Sequence, residues 1–552
     1  MNARRLLLLA ALSALAACGD EPRAASAKLF EDVTDTVGLD FRHGIGQTGT
    51  YHLPEIMGPG CALLDYDGDG DLDAYLVNAG PGEAGAPNRL FRQEADGRFV
   101  DVTAASGLGD DGYGMGVAVG DADGDGDLDV YLTNVGRDRL YENLGQGRFR
   151  DVTNDAGLGD DGWSCSAAFV DHDQDGDLDL FVTRYVLLDA TARCHDPAGR
   201  PEYCGPRDFP GVSDKLYRND GGLRFTDVSK PAGIAGRHDR GLGVVCADLS
   251  GDGRPDIYVA NDNGPNHLWI NQGGGRFLEE ALERGVALND EGREEASMGL
   301  VCADLDADGR DDLFMTHLRG ETNTLYLADG DGRFSDRTAA RGLAGPSRHS
   351  TGFGAAALDV EGDGDLDLIA VNGHVMRGDR ALGDHLSPFW GRYAQPAQLF
   401  SNDAGHFADT SLHLGLLGRH AIVGRGLATG DVDGDGFVDV LVTAAGGRAR
   451  LHLNRAPSRG SWLRVRCVEG AGARDALGAV VTVEAAGRTF RRRVDPASSY
   501  LSASDVRVTF GLGAASSYAA IVVRWPEGGE PERFPGGPTG KQVTLRKGAG
   551  QR

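Results

Sequence analysis

The chain has 552 residues, with 83 Asp and Glu against 55 Lys and Arg and a formal net charge of −28. So acidic a chain repels nucleic-acid phosphate, which excludes that class of partner. A hydrophobic share of 41% supports a core and excludes wholesale disorder. Gly, at 84, is roughly twice its usual share and has to be located along the chain.

Residues 1–17 carry Arg4 and Arg5 and then an apolar run too short to span a bilayer, the pattern of a secretory signal. Leu15-Ala16-Ala17-Cys18 resembles a bacterial lipobox, which implies a lipidated Cys18 as the first mature residue. The expectation is an exported protein, lipid-anchored through Cys18 to the cell envelope at the outer membrane or cell surface, with 18–28 as a linker.

Residues 29–455 are repetitive. DYDGDGDLD begins at Asp65, and relatives begin at Asp121, Asp171, Asp248, Asp304, Asp359 and Asp431, spaced 56, 50, 77, 56, 55 and 72 residues apart. A Leu-aromatic pair, usually followed by Asn, recurs at 90, 140, 216, 268, 325 and 399, with LHLN at 451–454 as the seventh copy. A third signature, close to FxDVT, recurs at Phe99, Phe149, Phe225, Phe277, Phe334 and Phe407. Its seventh member is displaced to Phe30-Glu31-Asp32-Val33-Thr34. Each unit parses into four short strands, and radial repetition of four-stranded sheets makes a β-propeller. The displaced strand predicts an all-β ring of seven blades, closed when 29–34 completes the last one. Closure removes exposed sheet edges. Gly114/Gly116, Gly241/Gly243, Gly352/Gly354 and Gly424/Gly426 fall in first strands, where backbones crowd.

The acidic loops put carboxylates at positions 1, 3, 5 and 9, Gly at 6, and a carbonyl at 7. The predicted ligand sets are Asp65, Asp67, Asp69, Asp71 and Asp73 in loop one; Asp121, Asp123, Asp125, Asp127 and Asp129 in loop two; and Asp171, Asp173, Asp175, Asp177 and Asp179 in loop three. Loop four has Asp248, Ser250, Asp252, Arg254 and Asp256; loop five Asp304, Asp306, Asp308, Arg310 and Asp312. Loop six has Asp359, Glu361, Asp363, Asp365 and Asp367; loop seven Asp431, Asp433, Asp435, Phe437 and Asp439. Of 28 side-chain positions, 27 are carboxylates, a density that like-charge repulsion forbids without a cation. Hard oxygens on a flexible loop suit Ca²⁺. The expectation is up to seven structural calcium ions, one per blade, with loop four weakest because Ser250 replaces a carboxylate.

DxDGDGxxD loops flanked by strands resemble FG-GAP/VCBS-type repeats, which implies an integrin-like propeller across 29–455. Residues 456–552 hold 15 Lys and Arg against 8 Asp and Glu, a net of +7 that leaves −35 for the rest. Strand-like runs at Trp462–Val468, Ala479–Glu484, Thr489–Val494, Val506–Phe510 and Ile521–Trp525 predict a small all-β domain over 461–545. WLRVRCV (462–468), RDALGAVVTVEAAGRTFRRRV (474–494), SYLSASDVRVTFGLG (499–513) and IVVRWPEGG (521–529) resemble the ASPIC/UnbV domain. The combination is similar to the cartilage-acidic-protein-1-like family, which implies a secreted, calcium-binding protein linked to adhesion or matrix contact.

Cys194 and Cys204, ten residues apart in an insertion between units three and four, are expected to form a disulfide; His195 beside them lacks the partners of a zinc site. Cys61, Cys165, Cys246, Cys302 and Cys467 read as buried thiols. Arg491-Arg492-Arg493 reads as a solvated strand edge in preference to a docking site. Phe389, Trp390 and Tyr393, in a second insertion, suit a binding face or a blade cap equally. With no GxSxG, HExxH or phosphate loop, the chain reads as no enzyme. The expected function is a calcium-binding surface module that binds an extracellular protein or polysaccharide through loops 184–213 and 373–397. A polysaccharide lyase or hydrolase and a structural envelope subunit are the alternatives.

Overall fold

The computed structural model describes residues 28–45, 50–80, 86–379, 386–415, 417–470 and 474–551; the expected signal and Cys18 lie outside them. Unit two represents the repeat. Tyr113–Gly120, Asp129–Arg137, Arg139–Asn143 and Phe149–Asp151 pair antiparallel in chain order. The first two strands are buried for most of their length, and the fourth turns its Arg and Asp to solvent.

Among the described residues, seven four-stranded units lie within 61–101, 113–151, 161–227, 241–279, 300–336, 352–409 and 424–454, the last completed by Phe30–Asp32. Phe30 pairs with Asn454, Glu31 with Leu453 and Asp32 with His452, so the displaced signature does complete the last unit. Successive first strands touch, and Gly424–Gly430 touches Cys61–Leu64 to close the ring. The architecture is a β-propeller.

The repeated motifs turn out to be joints. In the fourth strand, the Asp of DVT accepts the Thr N–H, and the Thr or Ser hydroxyl accepts the N–H of the third-strand Leu. This occurs at Leu90–Thr103, Leu140–Thr153, Leu216–Ser229, Leu325–Thr338 and Leu399–Ser411, at 2.9–3.0 Å. Across the seam, Leu451 donates to Thr34 at 3.0 Å. The Asn ending the third strand reaches back one unit. Asn143 donates to Tyr66 O, Asn219 to Ala122 O, Asn271 to His172 O, Asn402 to Leu305 O and Asn454 to Val360 O, at 2.8–3.1 Å. Gln93 does the same for Val432 O at 3.0 Å, joining unit one to unit seven. Each acceptor is position 2 of the preceding acidic loop, so the loops are fixed by their neighbours.

The C-terminal domain has two sheets sharing one apolar core that includes Val465, Val483, Phe510, Ile521 and Trp525. In one, Trp462–Glu469 pairs with Val508–Gly511 and, in parallel, with Lys541–Arg546; in the other, Val480–Ala485 lies between Arg488–Arg493 and Ser517–Arg524, and Glu532–Pro538 forms the edge. Two of these strands, Glu532–Pro538 and Lys541–Arg546, were not expected, and the domain runs on to Gln551, which pairs with Arg533.

Between its sheets the domain sends residues 498–505 into the centre of the ring. Ser499 exchanges backbone hydrogen bonds with Leu300, Val117 N donates to Leu501 O, Ala503 N donates to Cys61 O, and Asp505 N donates to Thr429 O. Ser499 Oγ accepts from Ala355 N, and Ser166 Oγ accepts from Leu501 N. This plug thus engages the first strands of units one, two, three, five, six and seven. Tyr500 and Leu501 are buried, and a Cβ at Gly60 would lie 1.8 Å from Leu501 O, so that glycine makes room for the plug.

One boundary is corrected. The first insertion lies inside unit three, between Asp179–Arg184 and Lys215–Asn219, not between units three and four. The 77-residue spacing it creates had suggested an inter-unit position. Cys194 and Cys204 form a disulfide there. With the second insertion it covers the ring face opposite the acidic loops. Tyr393 donates to Glu202, Arg377 Nη2 donates to Tyr51 and to Pro201 O, and Tyr203 packs against Tyr51 and Tyr393. Trp390 and Tyr393 are buried, so these aromatics form a cap. The disulfide closes a short loop, worth about 2–3 kcal/mol. Replacing both cysteines by Ser should therefore raise protease cleavage within 187–212 while the ring's melting stays near wild type; timed digestion with mass spectrometry checks this.

Candidate metal centres

All seven acidic loops share one local geometry. The position-6 glycines take φ of 88–103°, a left-handed conformation that a side chain would strain. Each position-6 N–H donates to the position-1 carboxylate at 2.8–3.1 Å. Each position-7 N–H donates to the position-5 carboxylate at 2.9–3.0 Å.

Position 9 has a role that spacing alone did not disclose. Asp73, Asp129, Asp179, Asp256, Asp312, Asp367 and Asp439 are buried, and each accepts an N–H from the end of its third strand at 2.7–2.9 Å. Each also accepts an N–H from the start of its own loop. The last carboxylate therefore ties the loop to the sheet, whatever else it binds. A fixed Asp with adjacent Leu-aromatic-x-Asn was the available signal.

The carboxylates converge. Oxygens of Asp65, Asp67 and Asp73 lie within 4.8 Å of one another, as do those of Asp121, Asp123 and Asp129, and of Asp171, Asp173 and Asp175. His172 adds a ring nitrogen to Asp173 and Asp179, and its Nδ1 pairs with Asp179. Buried Oδ1 atoms of Asp67, Asp173, Asp306 and Asp431, and Ser250 Oγ, have no hydrogen-bond partner among the described residues. Burial, reinforced by neighbouring carboxylates, pushes Asp73 and Asp129 up to about 8, Asp312 to about 8 and Asp367 to about 9. Asp121 rises to about 6 and Asp171 to about 7 for the same reasons. Hard, crowded, partly orphaned oxygens fit a divalent cation.

The structure corrects the expectation that Arg491–Arg493 is a solvated edge. Arg491 and Arg493 both pair with Asp311, and Arg492 donates to Gly364 O at 3.3 Å. Arg488 pairs with Asp365 at 2.7 Å, Arg507 donates to Gly70 O at 2.8 Å, and Arg474 donates to Gly176 O. In loops one, three and six the acceptor is the position-6 carbonyl. The basic domain thus sits on the acidic face of the ring, and opposite charge draws it there. Cys61, Cys165, Cys246 and Cys467 are buried thiols, while Cys302 is half-buried beside Arg493.

The repeat that builds these loops is recognisable outside this chain. Residues 65–132, 121–182, 208–259, 248–315 and 304–370 match the FG-GAP-like repeat, and 423–456 match the FG-GAP repeat. The chain belongs to the FG-GAP-like repeat family. Residues 469–552 match ASPIC and UnbV, and the plug lies within that match. The FG-GAP-like chain is 28% identical to cartilage acidic protein 1 of Mus musculus over 314 residues, 55% of this chain and 45% of the relative. It is 27% identical to cartilage acidic protein 1 of Homo sapiens over 314 residues, 55% of this chain and 44% of the relative. It therefore spans less than half the length of these relatives. A solved Agrocybe aegerita lectin, described for specific recognition of non-reducing terminal N-acetylglucosamine, aligns at TM-score 0.38 and 18% identity over 64% of this chain and 79% of that one.

Proposed function

We propose that the protein is an exported, calcium-binding surface module that binds an extracellular protein or polysaccharide. The observation that carries this reading is the sevenfold carboxylate loop, with converging and orphaned oxygens, on a ring braced by inter-unit hydrogen bonds. Asp at positions 1, 5 and 9, the third side chain and the position-7 carbonyl of each loop would hold the ion. Bound calcium supplies the positive charge that lets these groups sit together. Calcium in this role is structural, and extracellular sites of this class fill at about 10⁻⁴–10⁻³ M. The name cartilage acidic protein 1 of the relatives supports an extracellular, acidic setting. The Leu15–Cys18 signature supports a lipid anchor at the cell envelope.

The acidic face is covered by the C-terminal domain, so the ligand surface is assigned to the opposite face, where the capped insertions lie. There Leu187 and Met376 stand 66% and 63% exposed, large apolar groups held out on braced loops. Immobilised protein in 2 mM Ca²⁺, a concentration chosen to be on the order of the upper range for such sites, should retain at least one class of envelope or matrix component. Leu187→Asp with Met376→Asp should weaken that binding at least tenfold. Failure to bind any such component in calcium removes the adhesion reading.

A further inference from the structure

The seven loops are alike in backbone and unlike in the cations that already stand beside them. In loop two the Asp123 and Asp125 carboxylates face each other, each accepting one backbone N–H at its Oδ1, and no Lys or Arg among the described residues pairs with them. In loop seven the corresponding oxygens are taken. Arg455 Nη2 lies 2.8 Å from Asp433 Oδ2 and its Nη1 3.2 Å from Asp435 Oδ2, and Arg459 Nη1 reaches the same Asp435 oxygen. Arg464 Nη1 stands 2.9 Å from Asp431 Oδ2. Positions 1, 3 and 5 of loop seven are thus each paired with a guanidinium, and among the described residues Asp431 Oδ1 is the one carboxylate oxygen of that loop without a partner.

Two rings hold these arginines in place. The Arg459 guanidinium lies 4.5 Å from the Phe437 ring centre and that of Arg464 lies 6.0 Å from the Trp462 ring centre, and the Trp462 indole packs onto Gly436 so closely that a Cβ there would overlap it. Phe437 is position 7 of the loop, so the loop itself helps to seat its counter-ion. Loops four and five are intermediate: their own position-7 arginines, Arg254 and Arg310, pair with Asp252 and Asp308, and Arg341 reaches Asp306. In loops one and three the C-terminal arginines touch the position-6 carbonyl and leave the carboxylates free.

We propose that Arg455, Arg459 and Arg464 are the resident counter-ions of loop seven, so that this loop takes up no divalent ion at concentrations that fill loop two. The inference rests on the calcium reading above and replaces one ion per blade with an unequal set. Two positive species cannot both be held by the same few oxygens without repelling each other, and the guanidiniums are tethered while calcium is not. The consequence falls on ring closure. Loop seven belongs to the unit that Phe30–Asp32 completes, so the seam of the ring and its link to the C-terminal domain are neutralised without metal.

The test is an ion count on the full chain, by native mass spectrometry after calcium loading and desalting. D433N/D435N should bind as many ions as wild type, whereas D123N/D125N should bind one fewer. R455Q/R459Q, which leaves the buried Arg464–Asp431 pair in place, should gain one ion, and R455K/R459K should not. Loss of an ion in D433N/D435N, or no gain in R455Q/R459Q, overturns the proposal while leaving the calcium reading intact. Absence of calcium from every loop overturns both.

Discussion

Leu501→Asp should unseat the C-terminal domain and loosen the centre of the ring in one step. Leu501 is 1% exposed in the middle of the plug, with its carbonyl on Val117 N and its N–H on Ser166 Oγ. An Asp there removes the apolar side chain and buries a carboxylate within an apolar cluster that includes Met115, Met298 and Phe353. Together these effects cost about 4–5 kcal/mol or more. The backbone adds to the sensitivity, because Ser499 and Leu501 have φ of 79° and 57°, conformations that non-glycine residues keep only when surrounding contacts enforce them. The variant should melt earlier than wild type and should be cut by protease within 496–505. Leu187→Asp, on an exposed side chain, is the control and should melt and resist protease as wild type does. A Leu501→Asp protein that melts and resists protease like the parent would show that the plug contributes nothing to stability.

The ring was legible in the sequence because its three motifs recur in phase and one copy is out of place. A strand signature stranded at Phe30 has one use, completion of the unit that lacks it. The acidic loops were legible for a related reason: 27 carboxylates at fixed offsets have no solvated explanation. The joints were only half legible. The Asn after the Leu-aromatic pair was visible as a repeat, but its acceptor lies in the preceding unit, up to 99 residues away, and nothing local reveals it. Position 9 was read for its charge, while its burial and its two backbone N–H donors depend on the third strand. The plug was illegible for a stronger reason. Ser-Tyr-Leu-Ser-Ala-Ser has no strand period and no charge, and its partners in the ring lie far off in sequence, from 75 residues for Ser504 with Thr429 to 335 for Leu501 with Ser166 and 443 for Tyr500 with Met57. Arg491-Arg492-Arg493 announced a charge without naming its partner; Asp311 and Gly364 could be identified only once the domain was seen on the acidic face.

Removing calcium should lower the melting temperature by on the order of 10 °C, and by more at pH 8 than at pH 6. With about six loops of Kd near 10⁻⁴ M and about 2 mM calcium, each site contributes about 1.8 kcal/mol to the folded form. Their sum is about 11 kcal/mol, set against an unfolding entropy of about 1.1 kcal/mol/K for a chain of this size. The pH dependence has a definite sign. Burial and neighbouring carboxylates raise Asp73, Asp129 and Asp312 to about 8, above the unfolded value of 3.8. The metal-free folded state therefore binds more protons than the unfolded chain and loses stability as pH climbs from about 4 to about 8. Calcium bound as proposed would take over from those protons, so its contribution should be small where the carboxylates are protonated and large where they are not. Protein stripped on a chelating resin and scanned at pH 6 and pH 8, with and without calcium, measures both terms. No loss at either pH would mean that the crowded carboxylates are reconciled by something other than a bound cation, and an equal loss at both would mean that calcium does not replace protons on Asp73, Asp129 and Asp312.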